Sequence, residues 1–141
     1  MAKSFERSET FQSSPDKILS LINNFEAYRD FLPGCLESTK INEIEDGMVS
    51  GRLVFSVLKN TYTFESTNKT KGLAVSISQL QGPFLDFYAH WSLEPIDSKT
   101  TTVKFRTEFS LPFFLDLIAK QSLINQIGEK FMRAFKKQLF K

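Results

Sequence analysis

The last thirty residues, 112–141, constrain the fold more than any other stretch of the chain. Apolar residues recur here mostly at steps of three and four, which predicts one long amphipathic helix with a wide apolar face. Pro112 precedes this helix, and Asp116 lies in its first turn, where a negative charge suits the positive helix end. A helix of this kind needs an apolar partner, because most helical stability in proteins comes from packing. Its apolar residues are Leu117, Ile118, Ile124, Ile127, Phe131, Ala134, Phe135 and Leu139.

The partner is predicted to be a β-sheet, because residues 35–110 alternate between apolar and polar side chains with a period of two. Connections such as Glu45-Asp46-Gly47 and Gln81-Gly82-Pro83 are short and turn-like, which predicts antiparallel neighbours. The predicted strands are 3–11, 35–45, 48–58, 61–69, 72–80, 86–94 and 101–110. After the first strand, Ser14-Pro15-Asp16 is typical of a helix start, and a second short helix or turn is expected at 25–30.

This order of elements predicts an α+β fold of the helix-grip type. A seven-stranded antiparallel sheet twists strongly, so its concave apolar face can curve around the long C-terminal helix, with the two short helices after strand 1. A chain of 141 residues is long enough to bury a core of its own. No linker or repeat divides it, and we therefore expect residues 1–141 to form a single domain.

Phenylalanine is unusually abundant in this chain, and its charge is unevenly distributed. The fifteen phenylalanines supply rings that either fill a core or wall an apolar cavity. The net charge is +2, yet the stretch from residue 112 onward has a balance of +4 and the preceding residues one of −2. The excess lies on the predicted helix, either as a solvated face or as a patch for an anionic partner. This basic surface comprises Lys120, Lys130, Arg133, Lys137 and Lys141.

Three local motifs, in this order of elements, resemble the polyketide cyclase/START-like (helix-grip) superfamily. They are Tyr28-x-x-Phe31-Leu32-Pro33-x-Cys35, then Gly82-Pro83-Phe84 leading to Trp91-x-Leu93-x-Pro95, then Phe131-Met132-x-Ala134-Phe135. The chain is most similar to the branch that holds the ribosome association toxins (RatA) and the coenzyme Q-binding proteins. The resemblance runs from Arg7 to Phe135, nearly the whole chain.

The resemblance implies a cavity between the sheet and the long helix that takes a hydrophobic small molecule. Such a pocket needs a concave apolar wall and few polar anchors. The turns at 31–33 and 82–84 are interpreted either as two lips of its mouth or as plugs at the end of the sheet. The ligand-binding residues are predicted to be Tyr28, Phe31, Leu32, Pro33, Phe55, Phe64, Phe84, Trp91, Phe105, Leu117, Ile124, Ile127 and Phe131.

The sequence gives little support for an enzyme or a metal site. His90 is the only histidine, and because it precedes an inward-pointing Trp91 it is predicted to lie on the opposite side of the sheet. Cys35 is the only cysteine, so it excludes an internal disulfide, fits a reducing compartment and is expected to be a small buried hydrophobe. We therefore expect no catalytic residue, no metal ligand and no cofactor other than a bound ubiquinone or lipid.

The resulting hypothesis is a non-enzymatic protein that binds and transports ubiquinone or lipid in support of respiration. The alternative is a ribosome-associated toxin or translation regulator that binds the large ribosomal subunit. The partner of the basic surface stays open between that subunit and an anionic membrane, and no DNA partner is expected. Without a signal peptide or an apolar run of membrane-spanning length, we expect a cytoplasmic protein, peripheral to the inner membrane if it collects a quinone there.

Overall fold

The computed structural model describes residues 2–140. Strand β1 (Ala2–Phe11) is followed by helix α1 (Pro15–Asn23), a 3-10 turn (Phe25–Ala27) and helix α2 (Tyr28–Phe31). Six strands come next: β2 (Cys35–Glu45), β3 (Met48–Val57), β4 (Asn60–Lys71), β5 (Ala74–Gln81), β6 (Asp86–Asp97) and β7 (Thr100–Ser110). Helices α3 (Phe113–Ile118) and α4 (Gln121–Gln138) end the described chain.

The strands form one seven-stranded antiparallel sheet in the order β1-β7-β6-β5-β4-β3-β2. Five successive hairpins build it from β2 to β7, and β1 then pairs with β7 from Ala2 opposite Ser110 to Phe11 opposite Thr101. The two short helices carry the chain from the β1 edge of the sheet to the β2 edge. The predicted helix-grip fold, with its curved sheet and C-terminal helix, is confirmed.

The alternation of side chains along the strands separates a buried face from an exposed one. Trp91 and Val103 are almost fully buried, whereas their neighbours His90 and Lys104 belong to the other face of the sheet. Helix α1 adds Ile18 and Ile22 to the same core. Its end is fixed by the hydroxyl of Tyr28, which donates to the Ile22 carbonyl. No helix among residues 2–140 combines the length and apolarity needed to cross a membrane.

Helix α4 lies against the concave face through one side. Met132 and Phe135 are almost fully buried on that side. Gly128 permits the close approach to β1, since a Cβ atom at this position would lie 2.6 Å from the Phe5 ring. An ion pair of 2.7 Å between Arg7 Nη1 and Glu129 Oε1 ties the same edge of the helix to the strand.

The prediction of one continuous helix over 112–141 is corrected by a break at Ala119 and Lys120. Lys120 has an extended backbone (φ −69°, ψ 155°), and α4 starts anew at Gln121. The reason is geometric. Ser110 pairs with Ala2, and the side-chain amide of Gln121 already donates to the Ser4 carbonyl, so the chain advances only a short distance along β1 between these two residues. A straight helix of ten residues would advance about 15 Å, so this segment has to turn.

Replacing Phe135 with alanine should lower the free energy of unfolding by about 3–5 kcal/mol, because the ring is fully buried against Trp91 and Tyr28. Lys137→Ala on the exposed side of α4 should change it by no more than about 0.5 kcal/mol. Urea denaturation followed by circular dichroism measures both. Equal stabilities would show that α4 does not complete the core.

Candidate functional site: an apolar cavity between the sheet and the last two helices

A cavity of about 260 Å³ lies between the concave face of the sheet and helices α3 and α4. Its wall is carbon almost throughout, and no lining residue carries a carboxylate, amine, imidazole or thiol. Strands β1, β3, β4, β6 and β7, the β5–β6 loop and both helices contribute to it. The lining residues are Phe5, Phe55, Val57, Leu58, Tyr62, Pro83, Phe84, Phe87, Phe105, Thr107, Phe109, Leu111, Leu115, Ile118, Ala119, Leu123, Ile124, Ile127, Gly128 and Phe131.

Strand alternation and helical spacing aim most of these side chains at the cavity. On β7, Phe105, Thr107 and Phe109 follow one another at steps of two, which puts them on the same face. The Thr107 hydroxyl donates to the Tyr88 carbonyl at 3.0 Å, so its polar atom is already partnered. On α4, Ile124 and Ile127 are three residues apart and share one side of the helix.

The loop between β5 and β6 is held in place so that Phe84 closes one side of the cavity. The Gln79 side chain donates to the Phe84 carbonyl at 2.9 Å and accepts from the Phe84 amide at 3.2 Å. The Phe84 ring then packs against Phe87 and Phe109, with ring centres 4.9 and 5.1 Å apart. The loop is therefore a fixed wall and not a loose flap.

The cavity opens between the β3–β4 hairpin, the start of α4 and helix α3. Leu58, Ile118 and Ile127 line the cavity and are yet about half exposed, so they form its mouth. Leu58 has a left-handed backbone (φ 52°), which places it at the tight turn of the hairpin.

Several of the residues predicted to bind a ligand lie at this wall: Phe55, Phe84, Phe105, Ile124, Ile127 and Phe131. Two others support it from behind. Trp91 is 1% exposed and packs behind Phe105 and Phe131, with ring centres 4.7 and 5.7 Å away. Phe64 backs Phe84 and Phe87 in the same way.

The remaining predicted residues lie elsewhere. Tyr28, which is buried, and Phe31, which is partly buried, pack edge-on against Phe135 beyond the cavity. Leu32 joins this cluster and Pro33 borders a surface groove, while Leu117 is exposed beside the mouth. The turn at 31–33 is therefore not a lip of the mouth, whereas the turn at 82–84 does border the cavity. The reason is that Phe135 and Phe131 fill the space between the 31–33 turn and the cavity.

Sequence reasoning missed two kinds of lining residue. Phe5, Val57, Tyr62, Phe87 and Phe109 lie on the predicted apolar faces of strands, so the period-two pattern could have found them. The second kind had no such signal, because its place depends on a hairpin tip and on the break between α3 and α4. These residues include Leu58, Leu115, Ile118, Ala119 and Leu123.

The predicted basic residues lie on the outer side of α4 and at its start. Lys130, Arg133 and Lys137 border a groove that also touches Phe31 and Pro33. Lys120 is exposed at the helix start. None of these four forms an ion pair with a residue in the described range 2–140. Lys141 lies outside the described residues.

Apart from the Tyr62 phenol, which lines the cavity, the side chains that could carry chemistry lie away from it. His90 contacts the hydroxyls of Ser76 and Tyr88 at 3.2 Å on the convex face. Burial raises the pKa of the Cys35 thiol, an effect that the Arg29 charge and a hydrogen bond with the Glu37 backbone partly oppose. Burial also raises the pKa of the Tyr28 phenol. Across residues 2–140, no three His, Cys, Asp or Glu side chains meet where they could hold a metal.

Comparison with known proteins agrees with this architecture. A curated relative, the ribosome association toxin RatA of Vibrio cholerae serotype O1, is 28% identical over 134 residues, 94% of this chain and 92% of the relative. Among solved structures, the ZhuI aromatase/cyclase of Streptomyces sp. R1128 is similar with a TM-score of 0.84 at 14% identity, covering 99% of this chain and 94% of that one. A START superfamily protein from Mycobacterium smegmatis has a TM-score of 0.84 at 15% identity, covering 97% of both chains.

At such low sequence identities, similarity to the solved structures shows the fold alone. The family is decided by the sequence itself, because residues 12–136 match the model of one family over most of the chain. The matched stretch includes most of the sheet, the β5–β6 loop and nearly all of α4, the parts that enclose the cavity. The chain therefore belongs to the polyketide cyclase / dehydrase and lipid transport family.

Proposed function

We propose that this protein is a non-enzymatic carrier that buries the apolar tail of a ubiquinone or lipid in the cavity, in support of respiration. The observation that carries the proposal is the cavity wall, which is carbon almost throughout and lies open at one end. Apolar surface moved from water into such a space gains about 25 cal/mol per Å². A location at the periphery of the inner membrane, where such a ligand is collected, belongs to the same proposal.

The cavity volume limits what the protein takes up. About 260 Å³ lies just below the ~300–1,000 Å³ that is usual for small-molecule pockets. At ~30 Å³ for each water-sized group, it holds about nine such groups. That is enough for one section of an acyl or isoprenoid tail. A polar head would stay at the mouth, because an apolar wall cannot replace the hydrogen bonds that it makes with water.

The lining residues favour a carrier over a cyclase-type enzyme. General acid–base catalysis needs a titratable side chain within hydrogen-bond distance of the reacting group. The cavity wall has no carboxylate, imidazole, thiol or amine. Its hydroxyl groups are those of Thr107, which already donates to the backbone, and of Tyr62, whose phenol has no second titratable group in the lining with which to exchange a proton. The structural similarity to the ZhuI aromatase/cyclase supports a shared fold, and the activity in its name is that of ZhuI.

A ubiquinone analogue with a ten-carbon tail should raise the melting temperature, because it binds only the folded state. At one hundred times its Kd the stabilisation is about 2.7 kcal/mol, which corresponds to a shift of several degrees. The same quinone without a tail should have no effect. Thermal unfolding followed by circular dichroism is the measurement. Trp91 fluorescence is a poor readout, because Phe105 and Phe131 separate the indole from the cavity.

Two tryptophan variants test whether the tail occupies this cavity. Leu123→Trp fills part of the space and should remove most of the ligand-induced shift. Leu117→Trp adds the same side chain to an exposed position beside the cavity and should keep the shift. A shift that survives in Leu123→Trp as fully as in Leu117→Trp would place the ligand elsewhere.

The second candidate is a regulator that binds the large ribosomal subunit. Two observations favour it: the relative from Vibrio cholerae carries the name ribosome association toxin, and Lys130, Arg133 and Lys137 form a basic groove without ion pairs to residues 2–140. Contacts between such cations and RNA phosphates release counterions, and the resulting affinity falls steeply with salt.

Under this second proposal, Lys130→Glu combined with Lys137→Glu should abolish co-sedimentation with purified large subunits at physiological salt. The matched control reverses two exposed lysines that do not line the groove, Lys71→Glu with Lys99→Glu, and should co-sediment like the unchanged protein. Failure of the unchanged protein to co-sediment, alongside a clear quinone-induced shift, would reject ribosome binding and leave the carrier.

A further inference from the structure

The mouth of the cavity is surrounded by apolar side chains that no other part of the described chain covers. Phe113 and Phe114 are 72% and 81% exposed, and their rings pack edge-on with centres 6.0 Å apart. Isolated exposed apolar residues are common on proteins, but a contiguous set around a cavity is typical of an interaction surface. We call this set the mouth surface: Leu58, Phe113, Phe114, Leu117, Ile118 and Ile127.

Helix α3 is held with these residues turned outward. The Lys3 ammonium lies 3.6 Å from the Asp116 carboxylate and ties the helix to β1. Leu115 and Ile118 point at the cavity from the same helix. Phe113 and Phe114 do not line the cavity and are exposed on this helix.

Two exposed lysines adjoin the residues at the mouth. Lys59 follows Leu58 at the hairpin tip, and Lys120 follows the lining residue Ala119. Neither forms an ion pair with another residue of the described range. The one acid on α3, Asp116, is already paired with Lys3.

The basic side of α4 adjoins the same surface. At about 100° per residue, Lys130 and Lys137 lie about 60° and 80° from Ile127 around the helix, whereas Phe135 lies about 80° away in the other direction. Ile127 therefore separates the buried side of α4 from its basic side. Glu129, the acid of α4, faces β1 and pairs with Arg7.

We propose that the mouth surface docks onto an anionic lipid bilayer, with Phe113 and Phe114 inserted among the acyl chains and the adjoining lysines at the headgroups. The proposal deepens the carrier function and rests on it. An apolar centre with a cationic rim is the combination that binds interfacial protein segments to anionic membranes. A tail could then pass between bilayer and cavity along carbon surface, without crossing water.

Charge and chemistry favour the bilayer over two other occupants. A second copy of the chain would bring two cationic rims together, and like charges disfavour such a contact. RNA would use the cations, but phosphate binding gives no role to the aliphatic Leu58, Leu117 and Ile127. Anionic lipid alone satisfies both the apolar centre and the cationic rim.

The test is flotation of the full chain with vesicles of phosphatidylcholine containing about 30% phosphatidylglycerol, at low and physiological salt. The variant Phe113→Ser with Phe114→Ser should reduce the vesicle-bound fraction at least about tenfold, because it removes the two rings that insert. Its melting temperature should stay unchanged, since both positions are exposed. The control Phe140→Ser alters an equally exposed ring beyond the far end of α4 and should bind like the unchanged protein.

Each result decides the proposal. Vesicle binding that depends on Phe113 and Phe114, needs phosphatidylglycerol and weakens with salt supports it. The proposal is overturned if the unchanged protein does not float at low salt, or if the double variant floats equally well. It is also overturned if the unchanged protein is a dimer that the double substitution converts to a monomer without loss of flotation, because the mouth surface would then bind a second copy. The tailed quinone, added without vesicles, should still raise the melting temperature of the double variant. Loss of flotation alone therefore rejects membrane docking. Loss of the quinone-induced rise in melting temperature in the unchanged protein and all variants rejects the carrier function instead.

Discussion

The contact between α4 and the concave face of the sheet is the interaction on which the rest of the structure depends. At its centre Trp91, Phe131 and Phe135 pack with ring centres 4.9–5.7 Å apart, and Phe105 extends the cluster toward the cavity. Such rings bury large apolar areas and favour tilted or edge-on contacts. The glycine at position 128 lets the helix lie close to Phe5, so one edge of the sheet is sealed.

The same contact also creates the cavity, because α4 packs tightly against the sheet at only one end. Tyr28 and Phe31 add their rings to Phe135 and close the half of the sheet beneath α2. Toward the start of α4, smaller or aliphatic residues such as Ala119, Leu123 and Ile124 face the sheet, and the space between is not filled. An apolar void of this size forfeits dispersion contacts, which an apolar ligand would restore. Partial packing of one helix thus provides both stability and a binding site.

The two proposed functions use different sides of α4. Ile124 and Phe131 belong to the cavity, whereas Lys130 and Lys137 belong to the basic side, and Ile127 lies between them. Burial of a tail in the cavity and ribosome binding therefore use different atoms, whereas docking on an anionic bilayer and docking on the ribosome would both draw on the cations of the basic side. The amphipathic character that folds the helix also places a cationic surface beside an apolar opening.

The sequence by itself determined the strands, the antiparallel pairing of successive strands and many of the inward residues, because strand alternation and short turns are local properties. Phe55, Phe105 and Phe131 were placed at the wall on that basis, together with their resemblance to known proteins. Local pattern could not show that Phe31 packs against Phe135 at the border of the core while Leu58 forms the mouth, because both follow from how far α4 reaches across the sheet. Nor could it show the turn at Ala119, which contains neither proline nor glycine. Only the tertiary structure decided that turn: β1 pairs with β7 and holds the start of α4, and the segment between them has no room to run straight.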